Sequence, residues 1–381
     1  MNFSLSSAAK LVAVLSLAAF AGCGGGSQQV FDLGREAYEA GDYAQAARRF
    51  GEALERAPED VDAAFHLALA ELKLGELKAA QSAVEQALAL AGGDADVRDL
   101  AAQIAYHQKD YARARELYQA LAEDTALEPS LRSRALASLG VVEQTTDQCD
   151  LARIDFLKAI RLDRRNASAW YHLGLLYRDA FGYQESALEQ FSIYVRLDPV
   201  ASPRVQRVQR TFIPGIKEAI SRSLTSVTGA EHRDSAACSK ALQAAETAVK
   251  KNQFKTARLR YADAVKADPL SYPAALGLAR AWLKTDKSAY GKKQAFDAYL
   301  AACRLSPSAT STFLATGDLA MEQGMYVSAV EVYSRAMAAD PTNISVIDGL
   351  IRALRKAGHA KKAALYQEYR ETIPVRGKKG K

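Results

Sequence analysis

The chain has 381 residues, of which only 10 are proline and 23 are glycine. This length could hold two or three globular domains, but no break in composition marks separate cores, and the abundance of Ala, Leu, Arg and Glu favours helices. The formal net charge of +6 conceals an asymmetry, because residues 23–201 carry a net charge of −10 and residues 237–381 carry +12. The two ends of the chain are therefore expected to meet different partners.

The first residues have the features of a leader for export. Lys10 supplies a positive charge, and residues 11–21 form an apolar run that is too short to span a bilayer. Small residues precede Cys23, and a glycine-rich polar stretch follows it as far as Gln29. Residues 1–22 are therefore predicted to be a signal peptide, and residues 23–29 a tether that begins with a cysteine. No later stretch is apolar enough to cross a membrane.

The junction Phe20-Ala21-Gly22-Cys23 resembles a bacterial lipobox, although Phe20 stands where Leu is usual. The resemblance implies a diacylglycerol and an N-acyl chain, such as palmitate, on Cys23. Gly24 stands in place of the Asp that tends to retain lipoproteins at the inner membrane, so the resemblance implies the periplasmic face of the outer membrane. The alternative is an ordinary signal peptide with a chance cysteine near its end.

A motif of glycine, aromatic, alanine and proline residues returns about every 34 residues, which indicates a stack of similar units rather than one globule. Its clearest copies are Gly41, Tyr43, Ala46, Phe50, Ala53, Leu54 and Pro58, and Gly324, Tyr326, Ala329, Tyr333, Ala336, Met337 and Pro341. These residues resemble the tetratricopeptide repeat, a pair of antiparallel helices. The resemblance implies an all-α helical-hairpin solenoid, a right-handed superhelix in this family, that acts by binding other proteins.

Alignment on the small residues gives roughly nine units. Five form an acidic N-terminal array, residues 27–201, with units 27–60, 61–94, 95–128, 133–166 and 167–201. Four form a basic C-terminal array, residues 237–374, with units of about 238–271, 272–309, 310–343 and 344–374. Each unit is predicted to pair two helices of about a dozen residues, and stacking on neighbours is needed to bury its apolar stripe.

Residues 202–236 fit no repeat and are basic. Pro203 and the pair Pro214-Gly215 are expected to break helices. The spacer therefore either joins two stacked halves or bends one array. A short basic tail, residues 375–381, ends the chain and is expected to be solvated.

Several positions decide how the predicted helices pack. The first-helix glycines Gly34, Gly140 and Gly174 are expected to let paired helices approach closely. Lys109 replaces the turn glycine of the third unit. Gln367 replaces the aromatic residue of the ninth unit, which is therefore predicted to be a polar capping helix.

Three cysteines remain after the predicted processing, namely Cys149, Cys238 and Cys303. An odd number leaves at least one free thiol in an exported protein. Because they lie in repeats that are far apart in sequence, we expect small buried apolar residues rather than a disulfide.

The resemblance also implies that the first helices line an inner groove that binds partners. Aromatic and imidazole rings suit a peptide, since they bury much area with few torsions to freeze; the basic residues of the distal units suit acidic groups. The alternative for each ring is packing on the next helix. The predicted groove residues are Phe31, Arg35, Tyr38, Phe65, His66, Tyr106, His107, Tyr171, His172, Arg178, Arg280, Lys284, Arg352, Arg355 and Lys356.

Other function classes find little support in the residues. The chaperone-binding branch of the family clamps a C-terminal carboxylate with Lys and Asn, but Phe31, Arg35 and His66 occupy those positions here. The histidines lie on different repeats without Cys or carboxylate at ligand spacing, so no metal or other cofactor is expected. No catalytic motif is present, which predicts a protein that is not an enzyme, and export makes nucleic acid an unexpected partner.

The sequence therefore predicts a non-catalytic scaffold, lipid-anchored at the outer membrane, that assembles an envelope complex of proteins, for example in type IV pilus, motility or secretion machinery. Two alternatives are left open. The basic half could bind peptidoglycan or another anionic envelope polymer, or the chain could be an adaptor for peptidoglycan hydrolases.

Overall fold

The computed structural model describes residues 25–198, 202–228 and 233–374. Within these ranges the chain forms helices and turns, with no strand. It divides into two compact units, Met1–Leu117 and Tyr118–Lys381, so that the boundary falls inside one helix. The repeat register and the charge instead predict two arrays, residues 27–201 and 237–374, and these boundaries stay predictions. Residues 1–22, Cys23 and the tail 375–381 lie outside the described ranges.

The first unit contains consecutive helical hairpins. Its helices are α1 (Gly25–Glu39), α2 (Tyr43–Arg56), α3 (Val61–Leu74), α4 (Leu77–Ala91) and α5 (Ala95–His107), followed by α6 (Tyr111–Glu123), which contains the boundary. The predicted tether enters this unit. Arg56 Nη1 donates to the carbonyl oxygen of Gly26 at 2.9 Å, and Ser27 Oγ donates to that of Ala53 at 3.2 Å. Residues 25–29 are thus the first turn of α1 rather than a flexible spacer.

The second unit continues the hairpins. Its helices are α7 (Pro129–Thr145), α8 (Cys149–Leu162), α9 (Ala167–Leu176), α10 (Gln184–Leu197), α11 (Pro203–Arg207), α12 (Ile213–Thr228), α13 (Ser235–Lys250), α14 (Phe254–Ala267), α15 (Tyr272–Thr285), α16 (Ala289–Leu305), α17 (Thr310–Glu322), α18 (Tyr326–Ala339), α19 (Ile344–Lys356) and α20 (Ala360–Glu371). Two π-helical turns, Tyr177–Phe181 and Val208–Phe212, extend α9 and join α11 to α12.

The small residues used to align the repeats are the tightest points of the packing. The second-helix alanines on which the units were aligned are inaccessible to solvent. Ala363 is 1% exposed, and eight of them have no exposed surface: Ala46, Ala80, Ala114, Ala152, Ala187, Ala257, Ala295 and Ala329. The glycine prediction is confirmed as well. A Cβ atom on Gly34, Gly140 or Gly174 would lie 2.7–2.8 Å from a phenylalanine ring of the paired helix. The first helix of each of these pairs can approach the second only because it carries no side chain there.

Local sequence sets where the helices begin and turn. Asp42, Asp60 and Asp94 each cap a helix by accepting a backbone N–H of its first turn. Gly41 (φ +81°) takes the left-handed conformation between paired helices, and Lys109 takes it in the third unit with a φ of +65°. A non-glycine residue pays a steric cost there, which explains why glycine is usual at this turn.

The prediction that the pair Pro214-Gly215 breaks a helix is wrong, whereas Pro203 does lie at a helix boundary. Pro203 is the first residue of α11, after the capping residue Ser202, where its missing N–H is not needed. Pro214 lies inside the continuous helical run that covers residues 203–228. The π-helical turn Val208–Phe212 comes directly before it. Its wider spacing shifts the backbone hydrogen bonds, so that the helix continues although Pro214 has no N–H to donate. Val205 and Val208 are buried, so this run packs as part of the unit.

The cysteines lie apart from one another. Cys238 and Cys303 are buried and Cys149 is partly exposed, and all three are free thiols. Burial raises the pKa of the Cys303 thiol to about 11, while Thr316 accepts or donates a hydrogen bond at 3.4 Å. These are the surroundings of a small apolar residue rather than of a reactive thiol.

Candidate partner-binding surfaces

In the first unit, predicted groove rings pack between successive first helices. The His66 ring lies 5.1 Å from Phe31 of α1 in an edge-on arrangement and 5.4 Å from Phe65. His66 Nδ1 lies 2.8 Å from the carbonyl oxygen of Asp62, which fixes the ring. The three rings are only partly buried. They therefore stabilise the contact between α1 and α3 and still present aromatic edges to solvent.

The remaining predicted residues of this unit are also half-buried or exposed. Arg35 is exposed, 3.5 Å from Asp32. Tyr38 packs against Tyr43 at 5.1 Å, and burial raises its pKa. Tyr106 lies 5.8 Å from its neighbour His107, whose pKa burial lowers. We define Arg35, Phe65, His66, Tyr106 and His107 as the first-unit aromatic face.

In the second unit, Tyr171 and His172 are packed inside the protein, which is the alternative that the sequence left open. They are 9% and 8% exposed. The Tyr171 ring lies 5.2 Å from that of Tyr194, and the His172 ring stacks on Phe156 at 5.9 Å. Burial lowers the pKa of His172 to about 3, with the Arg204 charge adding to the effect. The neutral imidazole acts here as a flat core ring.

Arg178 is covered by the segment that was predicted to be a spacer. Its guanidinium carbon lies 3.9 Å from the centroid of the Phe212 ring, and Asp179 accepts a hydrogen bond at 2.6 Å. From the same segment, Arg204 lies over the Tyr171 ring at 4.9 Å. The helical run 203–228 therefore covers the predicted groove residues of the fifth unit.

The predicted basic residues of the distal units lie at the surface. Arg352 is 3.8 Å from Asp318, too far for a strong ion pair. The exposed predicted residues are Arg280, Lys284, Arg352, Arg355 and Lys356. The structure therefore leaves them available to acidic groups.

Sequence reasoning missed a contact between helices that are more than two hundred residues apart. Arg153 of α8 is fully buried and donates to Asp150 at 3.2 Å and to the Tyr366 hydroxyl of α20. The Tyr366 hydroxyl in turn donates to Asp150, and Lys362 of α20 lies 2.7 Å from the same carboxylate. We call Asp150, Arg153, Lys362 and Tyr366 the clasp. It joins the last helix of the second unit to its second helix.

Aromatic rings complete the surroundings of the buried arginine. The Arg153 guanidinium carbon lies 4.5 Å from the Phe181 ring centroid and 5.1 Å from that of Tyr366. Its Nε and Nη1 atoms have no hydrogen-bond partner among the described residues, so cation–π attraction to these two rings offsets part of their desolvation. The Arg153 side chain thus depends on groups from three elements.

The clasp also fixes the charge of its carboxylate. Burial alone would raise the pKa of Asp150, but the Arg153 charge and the contacts with Lys362 and Tyr366 outweigh it, so that the pKa lies below the ordinary value of an aspartate. Because the folded pKa is depressed, this contribution to stability is present above the unfolded value and is lost as pH falls through the folded value. The clasp is therefore intact at neutral pH.

The only sequence signal for the clasp is a pair of tyrosines on the predicted capping helix. Tyr366 and Tyr369 are both buried. Tyr369 donates to the Pro341 carbonyl oxygen at 3.0 Å. The predicted polar capping helix therefore also has an aromatic side: α20 packs Tyr366 and Tyr369 against the unit and turns a polar side to solvent.

Neither a metal site nor a membrane-spanning helix is found among the described residues. Within those ranges, no group of three or more His, Cys, Asp or Glu side chains could hold a metal ion. None of the helices there is both long and apolar enough to span a bilayer.

Comparison with known families identifies the repeats. Family models for the tetratricopeptide repeat match residues 37–104, 139–202 and 242–310. Because these ranges together cover more than half of the chain, the protein belongs to the tetratricopeptide-repeat family, and its fold is the all-α fold of that family. The family indicates a scaffold for protein–protein interaction rather than a catalyst.

The solved structures to which the chain is similar are distant in sequence. MamA from Desulfovibrio magneticus has 18% identity and a TM-score of 0.41, over 48% of this chain and 99% of that chain. PilF from Pseudomonas aeruginosa has 20% identity and a TM-score of 0.40, over 65% of this chain and 94% of that chain. No curated protein sequence matches the chain significantly.

Proposed function

We propose that the protein is a non-catalytic scaffold that is lipid-anchored at the periplasmic face of the outer membrane and assembles a protein complex of the cell envelope. The observation that carries the scaffold role is the first-unit aromatic face, whose rings are fixed by packing yet reach solvent. Rings held in this way bind a peptide with little loss of conformational freedom. The anchor rests on the sequence around Cys23, and pilus, motility or secretion machinery are the proposed settings.

The position of the anchor is compatible with this role. The first helix begins at Gly25, two residues after Cys23. A lipidated Cys23 would therefore hold the first unit close to the membrane surface. Three acyl chains anchor a protein almost irreversibly, at about 0.8 kcal/mol for each buried methylene group.

The anchor is tested by metabolic labelling. We expect the wild-type protein to incorporate radiolabelled palmitate and to sediment with membranes, and Cys23→Ala to do neither, because Cys23 supplies the thioether sulfur. Cys149→Ala is the control, since that cysteine lies on α8 and should not affect labelling. Equal labelling of Cys23→Ala and the wild type would refute the anchor.

The aromatic face is tested by cross-linking in intact cells. We expect Arg35→Glu combined with Tyr106→Ser to reduce the recovery of cross-linked envelope proteins at least about fivefold, because hot spots carry most of the affinity of an interface. The matched control is Arg48→Glu with Leu90→Ser, which makes the same kinds of change at exposed residues of the second helices α2 and α4.

Both variants should keep the helix content of the wild type by circular dichroism. Recovery of the same proteins in the same amounts from the face variant and the control would show that this face is not the binding surface.

A further inference from the structure

Four turns of the second unit lie along one edge of its C-terminal repeats. Each turn joins the paired helices of a repeat: α13 to α14, α15 to α16, α17 to α18, and α19 to α20. Arg258 of α14 donates to Thr285, the last residue of α15, at 3.1 Å, and Lys292 of α16 lies 2.6 Å from Glu322 of α17. The fourth turn continues the row, because α19 packs against α17 and α18. We call these turns the basic edge, which consists of residues 250–255, 284–293, 322–327 and 355–361.

The basic edge has far more positive charge than its carboxylates offset. It contains ten Lys or Arg and two Asp or Glu. Both acidic side chains are engaged, since Glu322 pairs with Lys292 and Asp286 accepts the backbone N–H of Ser288 at 2.9 Å. The other cations of the edge are exposed and form no ion pair within the described ranges: Lys250, Lys251, Lys255, Lys284, Lys287, Lys293, Arg355, Lys356 and Lys361.

The opposite edge of the same repeats has no such excess of charge. There the turns join each second helix to the next first helix, at residues 265–274, 303–312 and 337–346. They contain two Lys or Arg and two Asp. The helix α14 has 14 residues and is therefore about 21 Å long, which is about twice the Debye length at 0.1 M salt. The two edges therefore present separate electrostatic fields to a partner.

Exposed apolar side chains lie among the cations of the basic edge. Tyr290 is 62% exposed at the second turn, and Val327 is 75% exposed at the third. Tyrosine is favoured at the surface of a bilayer, where its ring can leave water while its hydroxyl stays wet. Cations together with exposed apolar residues are typical of a protein surface that binds a layer of anionic lipids.

The residue types and the position of the edge favour a bilayer over a peptide. All but one of the exposed cations are lysines. The compact charge of lysine on a flexible stem suits a fluid layer of headgroups, whereas arginine has the planar fork that suits an anion in a fixed position. The turns lie at the ends of helices, and peptides bind in grooves between elements or along sheet edges.

We propose that the basic edge binds the surface of a bilayer that contains anionic phospholipids, with its lysines near the headgroups and with Tyr290 and Val327 at the boundary with the acyl chains. This contact is additional to the scaffold role, and it depends neither on the first-unit aromatic face nor on acylation of Cys23. It holds the second unit at a membrane through a reversible attraction that salt weakens.

Vesicle sedimentation of the full chain with Cys23→Ala tests the proposal without an acyl anchor. We expect binding to vesicles of equal parts phosphatidylglycerol and phosphatidylcholine at about 0.1 M salt, and at least about tenfold weaker binding at about 0.5 M salt, because ions screen the attraction. Vesicles of phosphatidylcholine alone should bind at least about tenfold more weakly, since they have no net charge. The apolar leader, residues 11–21, is the same in all these measurements and does not produce these differences.

Charge reversal tests whether the basic edge makes the contact. Lys287→Glu combined with Lys293→Glu, at exposed residues of the second turn, should lower the affinity for the anionic vesicles at least about tenfold. The matched control is Lys240→Glu combined with Lys266→Glu, the same change at exposed residues of α13 and α14 toward the opposite edge. Its affinity should stay within about threefold of the parent chain, because charges that far from the surface are screened.

A second pair of variants tests the apolar part of the contact. Tyr290→Ser should lower the affinity for the anionic vesicles at least about threefold, because its ring leaves water on binding. Leu259→Ser is the matched control, since Leu259 is 63% exposed but lies in the middle of α14. It should leave the affinity unchanged. All these substitutions are at exposed side chains, and circular dichroism should show the helix content of the parent chain.

Equal sedimentation with anionic and neutral vesicles would overturn the proposal, as would equal affinities of the charge-reversed variant and its control. Equal affinities of Tyr290→Ser and Leu259→Ser would contradict the apolar contact. Sedimentation with purified peptidoglycan but not with anionic vesicles would also overturn the proposal, since that result assigns the basic edge to a wall polymer.

Discussion

Arg153→Ala is expected to lower the free energy of unfolding of the second unit by about 3–5 kcal/mol, since removing one partner of a buried charge network leaves the others unsatisfied. The substitution removes the donor to Asp150 and the cation that lies over Phe181. It also empties part of a fully buried volume. The measurement is urea denaturation followed by circular dichroism.

Arg161→Ala is the matched control, because it breaks another contact between the same two parts of the unit at the surface. Arg161 Nη1 donates to Thr372 Oγ1 at 2.8 Å, and Arg161 is exposed. Exposed contacts of this kind contribute about 0–1 kcal/mol. Hydrogen exchange adds a local readout: the amides of α20 should lose protection in Arg153→Ala and keep it in Arg161→Ala. Equal losses of stability in the two variants would contradict the importance of the clasp.

Gly349→Ala is expected to destabilise the second unit by about 1–3 kcal/mol, the usual cost of overpacking a dense core. A Cβ atom at Gly349 would lie 2.5 Å from Cε1 of Tyr333. The Tyr333 ring cannot move away, because it is held between two glycines. On its other side lies Gly317 of α17, where an added Cβ atom would lie only 2.6 Å from the ring. Tyr333 is fully buried, and its hydroxyl donates to Asp318 at 2.6 Å. Thermal unfolding measures the effect.

Gly51→Ala is the matched control, because the same substitution inside a helix is expected to stabilise the protein there. Gly51 lies inside α2, and beyond the neighbouring backbone of α2 itself no atom lies within 4 Å of the place that an alanine Cβ would occupy. Alanine should therefore stabilise the protein by about 0.5–1 kcal/mol through backbone entropy alone. A smaller side chain in place of the Tyr333 ring should relieve the Gly349→Ala defect, so Tyr333→Leu and Gly349→Ala should be non-additive. Stabilisation by Gly349→Ala, as by Gly51→Ala, would show that the ring contact is not tight.

The parts of the fold that could be predicted from sequence are those set within one hairpin. Two paired helices approach closely when the first carries a glycine and the second carries a large side chain four residues after an alanine. Gly140 and Phe156 follow this pattern, so their contact could be predicted from the sequence alone. The fifth unit, residues 167–201, is one residue longer than the period of about 34 residues, so an additional residue could also be expected from the sequence. The structure absorbs it as a π-helical turn that ends at Gly182 with a φ of +68°.

The candidate site was less predictable, because a residue type at a first-helix position does not reveal what lies opposite. Tyr171 and Phe65 occupy comparable places in their units, yet Tyr171 is covered by the run 203–228 and Phe65 reaches solvent. The covering run was predicted to be broken at Pro214, and the π-helical turn that tolerates the proline has no simple sequence signal.

The sequence by itself determined that the protein is a series of α-hairpins of the tetratricopeptide family, because alanine, glycine and aromatic positions recur at the period of one hairpin and act between neighbours. Only the tertiary structure decided that Asp150 and Arg153 meet Lys362 and Tyr366. The physical reason is separation along the chain. The orientation of each hairpin on the previous one depends on many small packing angles. Their accumulated effect places α20 against α8, and it cannot be predicted from any local sequence pattern.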